Sequence, residues 1–328
     1  MPVHAEPLAD CLPAALAFRN ANRSSPRDER YIRWRYLERP SPAPAFVVWW
    51  REHGENLAAA TVAPHAVWLG GRPLSIGIVG DISVASAARG RGLAAQLMEA
   101  VIQQAGGMDG LLVMPNPPLH ATLRKGGWLE LPGLARYRRF VGGRGPARML
   151  LRTASSLRGL VPALRRRGRL DDFRLEPRPR LPDDYADFWA RATSLPLIAA
   201  RDARYLEWRY LAHPLHRYEL FELRAGMGLA GYAFTRRENA DWWVDDWLAI
   251  DAATAEVLGA KIVARARAVG IASVQTRTQA RGLASIPWGN LGFMRRSDTQ
   301  AVFVAGAWAE RAHASGNAAY FTLGDKDV

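Results

Sequence analysis

Residues 89–92 read Arg-Gly-Arg-Gly and stand between two apolar patterns of different period. Before them, residues 76–85 are rich in isoleucine and valine and predict a β-strand. After them, apolar residues spaced by four predict a helix over residues 93–105. The first backbone N–H groups of such a helix have no partner within it, and with the helix dipole they favour an anion such as phosphate. The pattern predicts a phosphate-binding turn; the alternative is a tight turn with solvated arginines.

The elements that must position this turn continue along the chain. Residues 110–114 predict a second, short strand, which the proline-rich residues 115–118 end. A short amphipathic segment from His120 to Lys125 predicts a second helix. It ends at Gly126-Gly127, where glycine suits the left-handed backbone of a helix C-cap.

In this order, the residues resemble the GNAT superfamily of acyl-CoA-dependent acyltransferases. Its pyrophosphate signature is met by Arg89, Gly92 and Ala94, and its second signature resembles Asn116 followed by the Lys-Gly-Gly-Trp of residues 125–128. The resemblance implies an α/β (α+β) fold, with a mixed, mostly antiparallel twisted sheet flanked by helices. It implies acetyl-CoA or another acyl-CoA as co-substrate and no metal.

The resemblance also implies which residues hold the co-substrate. Backbone N–H groups of residues 90–95 would bind the pyrophosphate, main-chain groups near residues 82–84 would orient the thioester, and Asn116 would contact the pantetheine arm. Arg89 and Arg91 would add charge-assisted contacts to phosphate. The predicted cofactor-binding residues are Ile82, Ser83, Val84, Arg89, Gly90, Arg91, Gly92, Leu93, Ala94, Ala95 and Asn116.

An amine acceptor is mostly protonated at neutral pH, so a base or a water chain must remove a proton before attack. The predicted base is Asp81, in the strand before the turn, because apolar surroundings would raise its pKa. The alternative is a solvated or salt-bridged carboxylate. Many family members protonate the leaving thiolate with a tyrosine, and the corresponding residue here is Leu123. His120, one helical turn earlier, is the substitute candidate, with a surface or capping histidine as the alternative.

The chain contains an internal repeat. Residues 27–36 recur as residues 201–210, at an offset of 174 and with seven of ten positions identical. A repeat of this length predicts two tandem GNAT-like domains of one architecture. The predicted boundaries are 1–143 for the first domain, 144–180 for an arginine-rich linker and 181–328 for the second domain.

Aromatic residues recur in the repeat and are predicted to belong to the core, because a pattern present in both copies does not depend on a site in one. The alternative is a sugar or lipid site. The residues are Tyr31, Trp34, Tyr36, Tyr205, Trp208 and Tyr210.

The second copy departs from the first where the phosphate site would lie. Residues 242–248 stand where residues 75–84 stand in the first copy, but no glycine turn follows them. Asp251 and Glu256 fall near the next helix start, where carboxylates would repel a pyrophosphate. The second domain is therefore predicted to have lost its cofactor site. Asp245 and Asp246 are candidate substrate residues, attracting a cationic amine at the cleft; a strand-end salt bridge is the alternative.

Composition limits the class of protein. The chain has 328 residues, 49% of them hydrophobic and 23% charged, which suits two globular domains. A single cysteine, Cys11, excludes a disulfide within the chain and favours a reducing cytoplasm. The first residues lack the pattern of a secretory signal, and no apolar run approaches the roughly 20 residues that span a bilayer.

The net charge of +13 is concentrated in one segment, because fourteen arginines and three acidic residues lie between residues 136 and 180. The flanking regions are close to neutral, which argues against specific nucleic-acid binding. Residues 144–169 also contain apolar residues among the arginines. They predict a helix between the domains, with weak contact to an anionic membrane as the alternative.

The sequence as a whole favours an acyl-CoA-dependent N-acyltransferase that acts on a small amine, an amino sugar or a peptide amine by direct attack. Two alternatives stay open. One is a non-catalytic protein that binds an acyl-CoA, and the other is a peripheral membrane or interaction protein of the same fold.

Overall fold

The computed structural model describes residues 2–142, 149–150, 153–155, 170–279, 288–316 and 319–322. We call residues 2–142 the first half and residues 170–322 the second half. The helices are α1 (Leu8–Asn22), α2 (Glu29–Ile32), α3 (Leu93–Gln104), α4 (Pro117–Lys125), α5 (Tyr185–Ala192), α6 (Ala203–Leu206), α7 (Ala252–Ala268) and α8 (Ala309–Ala314). A π-helical turn follows α2 at Arg33–Leu37 and α6 at Glu207–Leu211.

The strands of the first half are β1 (Val3–Pro7), β2 (Phe46–Glu52), β3 (Glu55–Leu69), β4 (Arg72–Val84), β5 (Gly110–Val113) and β6 (Leu129–Phe140). Those of the second half are β7 (Phe173–Arg178), β8 (Leu197–Ala199), β9 (Tyr218–Ala225), β10 (Gly228–Glu238), β11 (Asp241–Ala249), β12 (Ser273–Gln279), β13 (Met294–Ala305) and β14 (Ala319–Tyr320). In the described residues they form one sheet in the order β1-β2-β3-β4-β5-β13-β6-β12-β11-β10-β9-β7, with β8 and β14 off this path. Most pairings are antiparallel, and the pairs β4–β5, β11–β12 and β8–β14 are parallel.

The two halves exchange their last long strands. Strand β13 of the second half pairs with β5 of the first half, and β6 of the first half pairs with β12 of the second half. Strands β6 and β13 also pair with each other at the centre of the sheet. The sheet is therefore continuous across the predicted domain boundary, and the division of the chain into domains stays a prediction.

The last part of the predicted linker belongs to the sheet, because residues 173–178 form β7 and pair with β9. Most of residues 144–169, the predicted interdomain helix or membrane contact, lie outside the described residues. Both interpretations of that segment stay predictions.

The local predictions around residues 89–92, which we call the Arg-Gly bend, are confirmed. The predicted strand over residues 76–85 is β4, the predicted helix over residues 93–105 is α3, and the predicted strand over residues 110–114 is β5. Helix α4 begins three residues before the predicted start, at Pro117, since proline fixes φ near the helical value and has no N–H to leave unpaired.

The repeated segments meet each other. The Trp34 and Trp208 rings stack with centroids 4.9 Å apart. The indole Nε1–H of Trp34 donates to the carbonyl oxygen of Trp208 at 3.1 Å, and Trp208 donates to Trp34 at 2.8 Å. Asp28 and Asp202 cap α2 and α6 in the same way, each accepting from a tyrosine N–H three residues on. All six recurring aromatic side chains are buried, so their assignment to the core is confirmed.

Candidate active site

Strands β4 and β5 separate after a short parallel pairing. The pairing runs from Ile76 opposite Gly110 to Val79 opposite Val113, where β5 ends while β4 continues to Val84 against β3. A bulge interrupts the β3–β4 ladder at this point, and Asp81 takes a left-handed backbone with φ 47°. The separation opens a gap beside the main chain of residues 80–84.

A cavity of about 630 Å³ lies at this gap. Its apolar wall comes from the end of β5 and from α4, with Val113, Met114 and Leu119. Its second wall comes from α1, the loop after it and α2. The predicted cofactor residues that line the cavity are Ile82, Val84, Ala94 and Asn116.

The Arg-Gly bend presents unpaired backbone donors. Gly92 is the N-cap of α3 with φ 76°, and Gly90 has φ 83°, so both use the left-handed backbone that favours glycine. No acceptor among the described residues takes a hydrogen bond from the backbone N–H groups of residues 90–94. A Cβ atom added at Gly90 or Gly92 would meet nothing within 4 Å. The bend is therefore open to a ligand and offers N–H groups at a helix N-terminus, which fits a pyrophosphate.

Side chains near the bend have partners within the protein. The Arg91 guanidinium donates to Glu52 at 2.6 Å, and that of Arg89 donates to the carbonyl oxygen of Asn22 at 3.1 Å. The Ser83 hydroxyl donates to the carbonyl oxygen of Asp81 at 3.1 Å. Leu93 is buried in the core below the bend and Ala95 is exposed, so neither offers a polar side chain to a ligand. The predicted phosphate contacts of the two arginines stay predictions.

Asp81 lies in surroundings opposite to those predicted. Its carboxylate accepts from Arg19 Nε at 2.9 Å and from the Tyr36 hydroxyl at 2.8 Å, and Arg35 Nη1 lies 3.5 Å away. Burial alone would raise the pKa, but the Arg35 and Arg19 charges and these hydrogen bonds outweigh it and lower the pKa of Asp81 to about 2. The prediction of a raised pKa is wrong, because arginines surround the carboxylate. A carboxylate that weakly basic is a poor general base.

Neither His120 nor Leu123 faces the cavity. The His120 ring packs 5.7 Å from the Phe303 ring, and Leu123 is fully buried among core side chains. Thr122 lines the cavity instead, because successive helical residues point about 100° apart. The structure therefore does not bring His120 to the position that a thiolate-protonating group needs.

Asp245 and Asp246 are buried and paired. Arg236 Nε donates to Asp245 at 2.6 Å, and Arg201 Nε lies 3.0 Å from both carboxylate oxygens of Asp246. Neither aspartate lines the cavity in the first half. The prediction that they attract a cationic amine at the cleft is wrong, and the salt-bridge alternative describes them.

Strands β11 and β12 also separate, after Val244 opposite Thr276, but the chain itself fills that gap. Thr322 forms a β-bridge with Thr278, and the Tyr320 ring packs against Trp247 at 5.3 Å. The helix that follows, α7, has its N-terminus closed, because Asp251 accepts from the Thr254 N–H at 2.7 Å. This geometry agrees with the predicted loss of the cofactor site in the second half.

Four arginines of the cavity wall were not predicted from the sequence. They are Arg19, Arg23, Arg27 and Arg35. Arg27 and Arg35 belong to the repeat, but their repetition in a copy without the glycine turn gave no reason to assign them to a site. The fold brings them together, since they come from a helix, a loop and a π-helical turn.

Comparison with known proteins agrees with this geometry. Residues 14–127 match the model of the acetyltransferase (GNAT) family. A GCN5-related N-acetyltransferase from Anabaena variabilis superposes with a TM-score of 0.65 at 12% identity, over 94% of this chain and 74% of that one. Another from Kribbella flavida gives 0.60 at 17% identity, over 92% and 70%. An Enterococcus faecalis protein described as a probable N-acyltransferase gives 0.64 at 10% identity, over 95% and 74%. No curated protein matches the sequence at a significant level.

The protein therefore has the fold of the GCN5-related N-acetyltransferases. Residues 14–127, which match the model of the acetyltransferase (GNAT) family, contain the open bend and all of the residues that line the cavity. The predicted superfamily and fold class are confirmed. Within the described ranges, none of the helices has the length and hydropathy needed to span a bilayer.

Proposed function

We propose that the protein is an acyl-CoA-dependent acyltransferase with one working site, in the first half, that acylates an amine by direct attack. The observation that carries the proposal is the open Arg-Gly bend, whose unpaired N–H groups lie beside the gap between β4 and β5. The match of residues 14–127 to the acetyltransferase (GNAT) family model supports the same reaction class.

Each part of the site has a proposed role. The N–H groups of residues 90–94 hold the pyrophosphate. The main chain of residues 82–84 lies beyond the end of β5 and binds the pantetheine amides through groups other than the Ile82 carbonyl, which accepts from Arg23 Nη1 at 3.3 Å. Asn116 lies at the cavity, where its side chain makes no capping bond to α4, so its amide is available to the pantetheine arm. When bound, acyl-CoA supplies an acyl group activated as a thioester.

Deprotonation of the acceptor does not need Asp81. Asp81 is the one carboxylate among the described lining residues, and four arginines face it or the cavity. This surplus of positive charge disfavours the ammonium form of a bound amine and so lowers the pKa of that amine. The fraction of nucleophilic amine rises at neutral pH, and solvent in the open cavity takes the proton.

Isothermal titration with acetyl-CoA tests whether the Arg-Gly bend binds the pyrophosphate. Gly92→Asp and Gly92→Asn have the same size, and both residues tolerate a left-handed backbone, so their difference isolates the charge at the helix N-terminus. We expect Gly92→Asp to bind acetyl-CoA at least tenfold more weakly than Gly92→Asn. His120→Gln, which changes a side chain outside the cavity, is the control and should bind like the wild-type protein.

Thiol release with a panel of amines tests turnover in the same samples. Wild-type protein that fails to bind acetyl-CoA, or a Gly92→Asp variant that binds it normally, would overturn the proposed binding of the pyrophosphate by the bend. Binding without thiol release for any amine would instead identify a non-catalytic acyl-CoA-binding protein.

A further inference from the structure

The cavity wall formed by α1, the loop after it and the turn after α2 carries an excess of positive charge. Arg19 Nε lies 2.9 Å from the Asp81 carboxylate, Arg35 Nη1 lies 3.5 Å from it and Arg23 Nη1 lies 3.9 Å from it. One carboxylate carries a single negative charge and faces three guanidinium groups. The wall therefore keeps a net positive charge even with Asp81 ionised.

Exposure of these side chains increases toward the cavity opening. The Arg19 side chain is 7% exposed, that of Arg35 is 12% exposed and that of Arg23 is 29% exposed. Arg19 is thus the inner partner of Asp81. Arg23 is the most exposed of the three and lines the cavity, where its Nη1 also donates to the carbonyl oxygen of Ile82 at 3.3 Å. Arg23 is therefore more accessible to a ligand in the cavity than Asp81, whose side chain is 7% exposed.

Arg27 adds a fourth guanidinium in a pre-formed orientation. Its guanidinium carbon lies 4.7 Å from the centre of the Tyr31 ring, so its face is stacked. Stacking leaves the N–H groups at the edge of a guanidinium available to a carboxylate or phosphate. No acidic side chain among the described residues lies within 4.0 Å of Arg27.

The repeat shows what this arginine binds in the other half. Arg201 stands at the position of Arg27, at the offset of 174, and it is fully buried with Nε 3.0 Å from both oxygens of Asp246. It also stacks over an aromatic ring, that of Tyr320, at 4.9 Å. In the second half, the chain therefore supplies a carboxylate to the repeated arginine.

The register of the two bulges identifies the residue that replaces this carboxylate. Gly80 pairs with Thr61 and Val244 pairs with Thr235, and Thr61 and Thr235 are related by the same offset of 174. The residue two places after Gly80 is Ile82, and the residue two places after Val244 is Asp246. An apolar side chain that lines the cavity thus stands where the second half has the partner of the arginine.

We infer that the acceptor is an amine that also carries an oxyanion, a carboxylate or a phosphate, and that Arg23 and Arg27 bind this oxyanion at the mouth of the cavity. The inference rests on the proposed function, because it assigns the acceptor end of the same site. The oxyanion takes the place that Asp246 holds in the second half. The apolar wall with Val113 and Leu119 is left to the acyl group.

Ligand-observed NMR without acyl-CoA tests the recognition apart from turnover. The probes are two matched pairs, O-phosphoethanolamine with ethanolamine and glycine with glycinamide, so that the phosphate and carboxylate arms are read separately. We expect at least one probe that carries an oxyanion to bind at least tenfold more tightly than its partner without the oxyanion. The double variant Arg23→Gln/Arg27→Gln should abolish this preference, while Arg30→Gln, at an exposed arginine outside the cavity, should keep it.

A second pair of variants keeps the test independent of the arginines. Ile82→Asp restores in the first half the carboxylate of the second half, and Ile82→Asn has the same size without the charge. We expect Ile82→Asp to lose the binding of the probe that carries the oxyanion by at least tenfold relative to Ile82→Asn. Circular dichroism of both variants checks that each one folds.

The outcomes separate the inference from the proposed function. Acyl transfer to amines without an oxyanion that is as efficient as transfer to their partners with one would overturn the inference and leave the acyltransferase in place. Anion binding that depends on the two arginines, without acyl transfer to any amine, would overturn the proposed function and leave the anion site. Equal binding of both members in both pairs would overturn the inference directly.

Discussion

The two halves of the chain use one backbone plan and differ in what lies between their separated strands. The first half keeps a cavity where β4 and β5 part, and the second half places residues 319–322 between β11 and β12. The N-cap of α3 is Gly92, beside which the N–H groups are unpaired, whereas the N-cap of α7 is Asp251, which accepts from the N–H of Thr254 in its own helix. A few side chains at strand and helix ends therefore decide whether this fold retains a site.

The bulge in each half holds a buried aspartate with the same two kinds of partner. Asp81 accepts from the Tyr36 hydroxyl and from Arg19, and Asp245 accepts from the Tyr218 hydroxyl at 3.0 Å and from Arg236. A buried aspartate bound by a tyrosine and an arginine thus recurs in the half whose gap the chain fills. Its recurrence there indicates that this carboxylate stabilises the bulge rather than the reaction.

Loss of Asp246 is expected to have the largest effect on the stability of the fold. Asp246→Asn leaves the Arg201 guanidinium buried opposite a neutral amide, which costs about 3–5 kcal/mol of unfolding free energy. Chemical denaturation measures this loss. The double variant Arg201→Met/Asp246→Leu should recover most of it, because it removes both charges. A loss below about 1 kcal/mol in the single variant would contradict the ion pair as the stabilising element.

Asp81 is expected to give a smaller effect that depends on pH. Its pKa is lowered in the folded protein to about 2 from 3.8, so its contribution is present above pH 4 and is lost as the pH falls toward 2. Denaturation of wild type and Asp81→Asn should show their difference in unfolding free energy falling by about 1 kcal/mol between pH 5 and pH 3.

Asp245→Asn is the matched control for that measurement. Burial raises the pKa of Asp245, and Arg236 and Tyr218 offset only part of the desolvation. Acidification should therefore not reduce the stability difference between wild type and Asp245→Asn. The same acid dependence in both variants would remove the distinction between the two bulges.

The contact between the repeats is expected to show the smallest effects and the most symmetric ones. Trp34→Phe and Trp208→Phe each remove one indole N–H that donates to the opposite carbonyl, at a cost of about 1–2 kcal/mol. The double variant should differ from the sum by about 0.5 kcal/mol or more, because the rings stack. Strongly unequal single effects would show that the halves do not contribute equally to their interface.

Local sequence patterns predicted the elements around the bend because each depends on nearby residues. Apolar residues at helical spacing determine α3, β-branched residues determine β4, and glycines at positive φ determine the turn between them. The same reasoning failed for Asp81, since its pKa depends on Arg19 and Arg35, which come from distant parts of the sequence. The prediction that His120 lies at the site failed for a related reason, because the direction of a side chain on a short helix depends on how the helix packs.

By itself, the sequence determined the strand, the open glycine bend and the helix of the first half, the internal repeat, and the missing glycine turn of the second half. These features follow from backbone freedom and from the spacing of neighbouring residues. Tertiary structure alone decided the exchange of β6 and β13, the filling of the second gap by residues 319–322, and the gathering of four arginines in the wall of the cavity. The reason is physical: each of these arrangements joins residues far apart in the chain, and their contacts and charges interact only after the sheet has formed.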